Sequence, residues 1–109
     1  MRGKKIVLDL EFIPYRRKQE PYCVHEIIEI GAVALDADNE IYDEFQMYVK
    51  PQYGTVPPFV TAITGITNEM LVGQVSFSEA MQAFEAWLPQ EDSYRFYTWS
   101  GSDQHVFQA

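Results

Sequence analysis

The chain alternates between apolar runs with strand spacing and apolar runs with helical spacing. Residues 4–12 (KKIVLDLEF) and 26–35 (EIIEIGAVAL) are dense in Ile, Val and Leu. Such density is typical of strands buried on both faces. Residues 41–49 alternate apolar and polar positions, which predicts a strand with one wetter face, paired antiparallel near a sheet edge. Residues 94–99 (YRFYTW) predict a fourth strand.

Helical patterns separate the third and fourth predicted strands. Residues 77–88 place apolar side chains on one helical face, and a proline follows them. Ser76 and Glu79 have the spacing of a capping box at the start of this helix. We predict that its aromatic stripe packs into the core and is not a base-stacking platform. Short helical turns are predicted within 58–67, and a further helix is predicted from Asp103.

The order β-β-β-α-β-α predicts an α/β fold in which a mixed sheet carries a helical layer. The chain has 109 residues, 47% of them hydrophobic, which suits one domain of modest size. No apolar stretch is long enough to cross a bilayer, so we expect no membrane partner. A single cysteine, Cys23, excludes an internal disulfide framework and favours a cytoplasmic location.

The net charge of −8 argues against a general nucleic-acid coat protein, which would use a basic face to displace counterions. It does not exclude an enzyme that meets phosphates through bound metal ions. Residues 16–18 (RRK) form the dense basic cluster, directly after the first predicted strand. This cluster is either a solvated loop or a phosphate-steering element.

Asp9 and Glu11 are two carboxylates in an otherwise apolar strand. Residues two apart on a strand point to the same side, with Cα atoms roughly 6.5–7 Å apart. Their oxygens are the ligands that Mg²⁺ and Mn²⁺ prefer, and open α/β sheets bind ligands at the carboxyl ends of their strands. Two interpretations stay open at this point: a metal site, or a strand end that emerges into water.

Four motifs occur in an order that resembles a known family. They are DLE at 9–11, EIIEIGAV at 26–33, ITGIT at 63–67 and WSGSD at 99–103. Together they resemble the DEDD superfamily (DEDDh type) of 3′–5′ exonucleases, which includes the DNA polymerase III proofreading subunit, RNase T and histone-mRNA 3′ exonucleases. The resemblance implies a ribonuclease H-like fold with the first strand central and the fourth strand parallel to it.

The resemblance also implies the site. Asp9, Glu11 and Asp103 match catalytic metal ligands that hold two Mg²⁺ or Mn²⁺ ions. The implied substrate is the 3′ end of single-stranded RNA or DNA, and the product is a nucleoside 5′-monophosphate. The positions matched to substrate contacts are Leu10, Phe12, Ile13, Ile63 and Thr64. Phe12 and Ile13 replace residues that are usually small or hydroxylated in this family, and we expect them to crowd the terminal ribose or to shift its pose. Ile63 is alternatively a core contact.

The family's general base and fourth ligand come from an H-x4-D motif, which these 109 residues lack. Ile30 stands five residues after His25, and we interpret His105 as a surface or packing residue. We therefore expect residues 1–109 to be an incomplete exonuclease domain, truncated before the last strand and helix. Such a fragment is expected to be inactive and to self-associate through an uncovered sheet edge.

Two alternatives stay open. One is a non-catalytic short relative that binds nucleic-acid ends or a protein partner. The other is a structural or interaction protein unrelated to nucleases, in which the two strand carboxylates are fortuitous.

Overall fold

The computed structural model describes residues 4–15, 24–89 and 94–98, which form a four-stranded sheet with flanking helices. The elements in chain order are β1 (Lys4–Tyr15), β2 (Val24–Leu35), β3 (Ile41–Tyr48), α1 (Pro58–Thr64), α2 (Asn68–Leu71), α3 (Phe77–Trp87) and β4 (Tyr94–Thr98). This order confirms the predicted α/β class. The helix predicted from Asp103 lies outside the described residues.

The sheet has the strand order β3-β2-β1-β4. β1 pairs antiparallel with β2, and β2 pairs antiparallel with β3. β4 runs parallel to β1. The predicted edge position of β3, the inner position of β1 and the parallel fourth strand are therefore confirmed.

A tight turn at residues 36–40 joins β2 to β3. The Asp36 carboxylate accepts hydrogen bonds from the backbone N–H groups of Asp38 (2.9 Å) and Glu40 (3.0 Å). Asn39 has a φ of 65°, a left-handed conformation that asparagine adopts more readily than most residues. The Asp36 side chain therefore holds this turn.

α3 covers one face of the sheet. Its Ala80 and Phe84 pack against alternate residues of β1 and β2, and the buried members from the two strands are Ile6, Leu8, Leu10, Ile27, Ile30, Ala32 and Ala34. Phe84 also meets Phe45 of β3 edge-to-face, with ring centroids 5.4 Å apart. The Trp87 indole donates to the Asp43 carboxylate at 3.0 Å, which ties the end of the helix to β3.

The predicted capping box at the start of α3 is confirmed. The Ser76 hydroxyl accepts from the Glu79 N–H at 3.2 Å, and the Glu79 carboxylate accepts from the Ser76 N–H at 3.1 Å. The prediction that the whole aromatic stripe packs into the core is wrong for Phe77, whose side chain is 48% exposed. It occupies the first turn of α3, beyond the sheet residues that the rest of the helix covers.

Among the described residues, the opposite face is covered at one end only. There the α1–α2 segment builds a second cluster, whose buried members are Ile13, Ile28, Val56, Val60, Ile66 and Leu71. Farther along the same face of β1, Val7 is half-buried and Asp9 is exposed. The prediction that this strand is buried on both faces is therefore wrong over that part of β1, because α1 and α2 reach only its carboxyl end.

Within the described ranges, no helix combines the length and the apolar character needed to cross a membrane.

Candidate active site

Asp9 and Glu11 lie on the sheet face opposite α3. The residues that alternate with them in β1, Leu8 and Leu10, are buried beneath α3 at 3% and 4% exposure. Asp9 is exposed and Glu11 is half-buried. The next residue on their side, Ile13, is fully buried under the α1–α2 segment. The two carboxylates therefore stand on an open surface directly beside a covered one.

A β-bulge follows Glu11. Glu11 lies opposite Glu29 and Phe12 lies opposite Ile27, which leaves Ile28 as an extra residue in β2. The bulge lets Ile28 join the cluster under α1 and α2. Bulges are common beside active sites, where they redirect side chains.

The register brings a further carboxylate to this face. Glu29 stands directly across from Glu11, and side chains at such positions are neighbours about 4.5–5.5 Å apart at Cβ. The side-chain amide of Gln46, from β3, donates to Glu29 at 2.8 Å and orients it. Like charges placed directly opposite on a sheet are destabilising.

Gly31 faces Asp9 in the ladder. A Cβ at position 31 would stand 3.3 Å from the Asp9 carbonyl oxygen, which is tighter than ordinary packing. Glycine therefore allows β1 and β2 to approach closely at the first carboxylate, and it leaves the surface beside Asp9 without a side chain.

The ITGIT segment forms a locked turn at the end of α1. The Thr64 hydroxyl donates to the Val60 carbonyl (2.8 Å) and accepts from the Ile66 N–H (3.1 Å). Gly65, at a φ of 80°, ends the helix in a left-handed conformation. Ile63 is 80% exposed on this turn, which excludes the alternative that it is a core contact.

The other positions matched to substrate contacts are more enclosed. Leu10 and Ile13 belong to the two buried clusters, so contact with a nucleotide from these positions would come from the backbone. Phe12 packs against the cluster under α3 and meets the His25 ring edge-to-face at 4.9 Å. The expected crowding of the ribose by the Ile13 side chain does not fit its complete burial.

The remaining predicted site residues lie outside the described residues. These are Asp103, His105 and the basic cluster at 16–18. Among the residues described, no group of three or more His, Cys, Asp or Glu side chains is placed to hold a metal ion. Asp9 and Glu11 fit a hard divalent cation in donor type and in sharing one face, and they are two of the three ligand positions that the resemblance implies.

A cavity of about 860 Å³ lies elsewhere on the molecule. The start of β2, the segment after β3 and the first turn of α3 line it, with His25, Lys50 and Phe77 among the lining residues. Neither Asp9 nor Glu11 is part of its wall. Its acidic lining residues, Glu26 and Glu79, both accept hydrogen bonds from backbone N–H groups.

Sequence reasoning missed the placement of Glu29, and also that of Glu26, whose carboxylate accepts from three backbone N–H groups after β3. Both residues stood in the recognised EIIEIGAV motif. Their placement depends on the strand register, which includes a β-bulge. No residue type in the motif predicts that bulge.

Comparisons with known proteins identify the family. The sequence model of the RNase T-type exonuclease family, described as an exonuclease, matches residues 6–94. DNA polymerase III subunit epsilon of Pasteurella multocida is 37% identical over 81 residues, which cover 74% of this chain and 32% of that protein. Human 3'-5' exoribonuclease 1 is 33% identical over 82 residues, which cover 73% of this chain and 24% of that protein.

Solved structures agree with the fold. A full-length 3'-exonuclease superposes with a TM-score of 0.79 at 26% identity, covering 96% of this chain and 49% of that one. A 3'-exonuclease solved in a study of 3'-end recognition of a histone mRNA stem-loop superposes with a TM-score of 0.70 at 26% identity, covering 90% of this chain and 37% of that one. The chain thus spans a third or less of these two curated relatives and at most half of these two structures. The predicted resemblance and the ribonuclease H-like fold are confirmed, and the chain belongs to the RNase T-type exonuclease family.

Proposed function

We propose that this chain carries the metal-binding carboxylates of a 3′–5′ exonuclease that removes nucleotides from single-stranded RNA or DNA. The observation that carries the proposal is the position of Asp9 and Glu11 on an open part of the sheet. This part lies directly beside the part that α1 and α2 cover. Membership of the exonuclease family supports the reaction class.

Asp9 and Glu11 would hold the divalent cations, Mg²⁺ or Mn²⁺, with Asp103 as a further ligand. When bound, such ions lower the pKa of an attacking water and stabilise the leaving oxygen. The Ile63 side chain would pack against the terminal base, because it is exposed on a turn fixed by hydrogen bonds. The Thr64 hydroxyl is engaged in that turn, so its role would be to hold the backbone that meets the nucleotide.

We also propose that residues 1–109 are an incomplete exonuclease domain with little activity of their own. They contain no H-x4-D motif to supply the general base. A second candidate rests on the same observation: a non-catalytic relative that binds nucleic-acid ends without cleaving them. Both candidates predict metal binding at Asp9, and an in-frame H-x4-D motif downstream of residue 109 would favour the nuclease.

The substrate and the compartment belong to the same proposal. A 3'-exonuclease that resembles this chain was solved in a study of 3'-end recognition of a histone mRNA stem-loop, which supports nucleic-acid 3′ ends as partners here. A single cysteine supports a reducing, cytoplasmic setting.

Calorimetry with Mn²⁺ tests the metal site. We expect the unsubstituted chain to bind Mn²⁺ and Asp9→Asn to lose that binding, because one of the two same-face carboxylates is neutralised. Asp38→Asn is the matched control, since Asp38 is an exposed acid in the turn between β2 and β3. Equal heats for the unsubstituted chain and for folded Asp9→Asn would count against the proposed site.

A further inference from the structure

The connection from β3 to α1 is held by one carboxylate of β2. Three successive backbone N–H groups, those of Gln52, Tyr53 and Gly54, donate to the Glu26 side chain at 2.7, 3.1 and 2.6 Å. Successive N–H groups that converge in this way form an anion-binding nest. Here the chain supplies its own anion, and hydrogen bonds to an ionised acceptor are roughly twice as strong as neutral ones.

Further hydrogen bonds hold the same connection on either side of residues 52–54. The Val49 N–H donates to the Ile28 carbonyl, and the Lys50 N–H donates to the Val75 carbonyl, both at 2.8 Å. Val56 exchanges two hydrogen bonds with the Asn68 side-chain amide, at 2.8 and 3.2 Å. The path of residues 49–56 is therefore fixed from both ends, and Glu26 holds its middle.

This connection leads directly into α1, which ends at Ile63 and Thr64. Glu26 lies opposite Ile13 in the β1–β2 ladder, two positions along β1 from Glu11. The hydrogen bonds between Glu26 and residues 52–54 thus link the β1–β2 ladder, which carries the carboxylates, to the helix that carries the exposed Ile63. A shift of about 1 Å in a positioning element can cost two orders of magnitude in rate.

We propose that Glu26 is a positioning residue of the candidate exonuclease site. Its carboxylate fixes residues 52–54 and thereby holds α1, with Ile63 and Thr64, at the place where a terminal nucleotide would meet Asp9 and Glu11. This inference rests on the proposed function for its nucleotide-binding part. Its structural part, the dependence of the order of α1 on Glu26, does not.

The test uses the 109-residue chain and three measurements. Glu26→Gln keeps the shape of the side chain but turns half of the acceptor into a donor, which cannot receive N–H groups. Glu85→Gln is the matched control, since Glu85 is an exposed residue of α3. The measurements are amide hydrogen exchange, the affinity for AMP with Mn²⁺ present, and the affinity for Mn²⁺ alone.

We expect Glu26→Gln to speed exchange about tenfold across residues 52–64, from the loss of charge-assisted hydrogen bonds. AMP affinity should fall by about three- to tenfold, while the affinity for Mn²⁺ alone stays unchanged because Asp9 and Glu11 are intact. If Glu26 had a purely structural role, the substitution would not lower the affinity for AMP while leaving the affinity for Mn²⁺ unchanged. If Glu26→Gln does not fold, Glu26→Asp, which keeps the charge but shortens the side chain by one methylene group, is judged by the same criteria.

The other outcomes overturn the inference in distinguishable ways. Unchanged exchange in residues 52–64 would show that Glu26 does not hold this segment. Faster exchange with AMP affinity equal to that of the unsubstituted chain would reduce Glu26 to a stabilising residue and leave the proposed function standing. No Mn²⁺-dependent AMP binding by the unsubstituted chain would overturn the proposed function and the role in nucleotide positioning together.

Discussion

The two faces of the sheet differ in what covers them. On one face, α3 buries a continuous row of Ile, Leu and Ala side chains, with Phe84 at 2% exposure in its centre. On the other, within the part of the chain that the structure describes, the α1–α2 segment covers the end of β1, and Asp9, Glu11 and Glu29 occupy the stretch beside it. The same strand, β1, contributes alternate residues to both faces.

This difference separates stability from chemistry. The face under α3 removes apolar area from water, which is the main favourable contribution to folding. The carboxylate face places acidic side chains side by side, an arrangement that attracts cations. Strand alternation allows β1 to serve both purposes, because its successive side chains point to opposite faces.

The largest expected effect concerns catalysis at the carboxylate face: the rate of nucleotide release should be far below that of a complete exonuclease. The chain should release few mononucleotides from a labelled single strand, even in excess Mn²⁺. A general base commonly contributes about 10²–10⁴-fold in rate, and these residues contain no H-x4-D motif to supply it. Release at the rate of an intact exonuclease would mean that another residue, such as His105, acts as the base.

Removal of the aromatic ring under α3 should have the largest effect on stability. Phe84→Ala is expected to lower the free energy of unfolding by about 3–5 kcal/mol, through lost burial and a residual cavity. Phe59→Ala is the control, because Phe59 is 58% exposed on α1 and surface changes usually stay within about 0.5 kcal/mol. Urea unfolding of both variants measures the difference, and equal losses would contradict the contrast between the faces.

Self-association is expected through the sheet edge formed by β4. The strand ends the order β3-β2-β1-β4, and its Phe96 and Tyr97 are 48% and 44% exposed. Exposed edges with apolar side chains promote pairing between chains. We expect concentration-dependent oligomers in sedimentation, reduced by Tyr97→Lys.

Ile63→Lys is the control for edge pairing, because Ile63 is more exposed but belongs to α1. A clean monomer at high concentration would argue against association through β4.

The smallest expected effect concerns the acids across the β1–β2 ladder. Glu29→Gln should raise the free energy of unfolding by about 0.2–1 kcal/mol in metal-free buffer, because Glu11 then faces a neutral side chain. It should also weaken Mn²⁺ binding slightly. Glu44→Gln is the control, since Glu44 lies on the same face opposite Val33. A loss of stability specific to Glu29→Gln would show that its bond with Gln46 matters more than the repulsion.

Local signals predicted much of this fold. The alternation in residues 41–49 and the capping box at Ser76 and Glu79 each act over a few residues, so the sequence was sufficient to predict them. The prediction that β1 is buried on both faces failed, because the burial of each side chain depends on whether a helix covers its face of the sheet. Val7 has the same apolar character as Ile6, yet only Ile6 is fully buried, because α3 lies on its side.

The sequence by itself determined the α/β order, the family and the pair of carboxylates at Asp9 and Glu11, since these depend on residue types and short spacings. Tertiary structure decided the rest of the site. A bulge set Glu29 opposite Glu11, and the path after β3 brought three N–H groups to Glu26. Register and long-range packing join residues that are distant in the chain, and no local pattern specifies which partners they will meet.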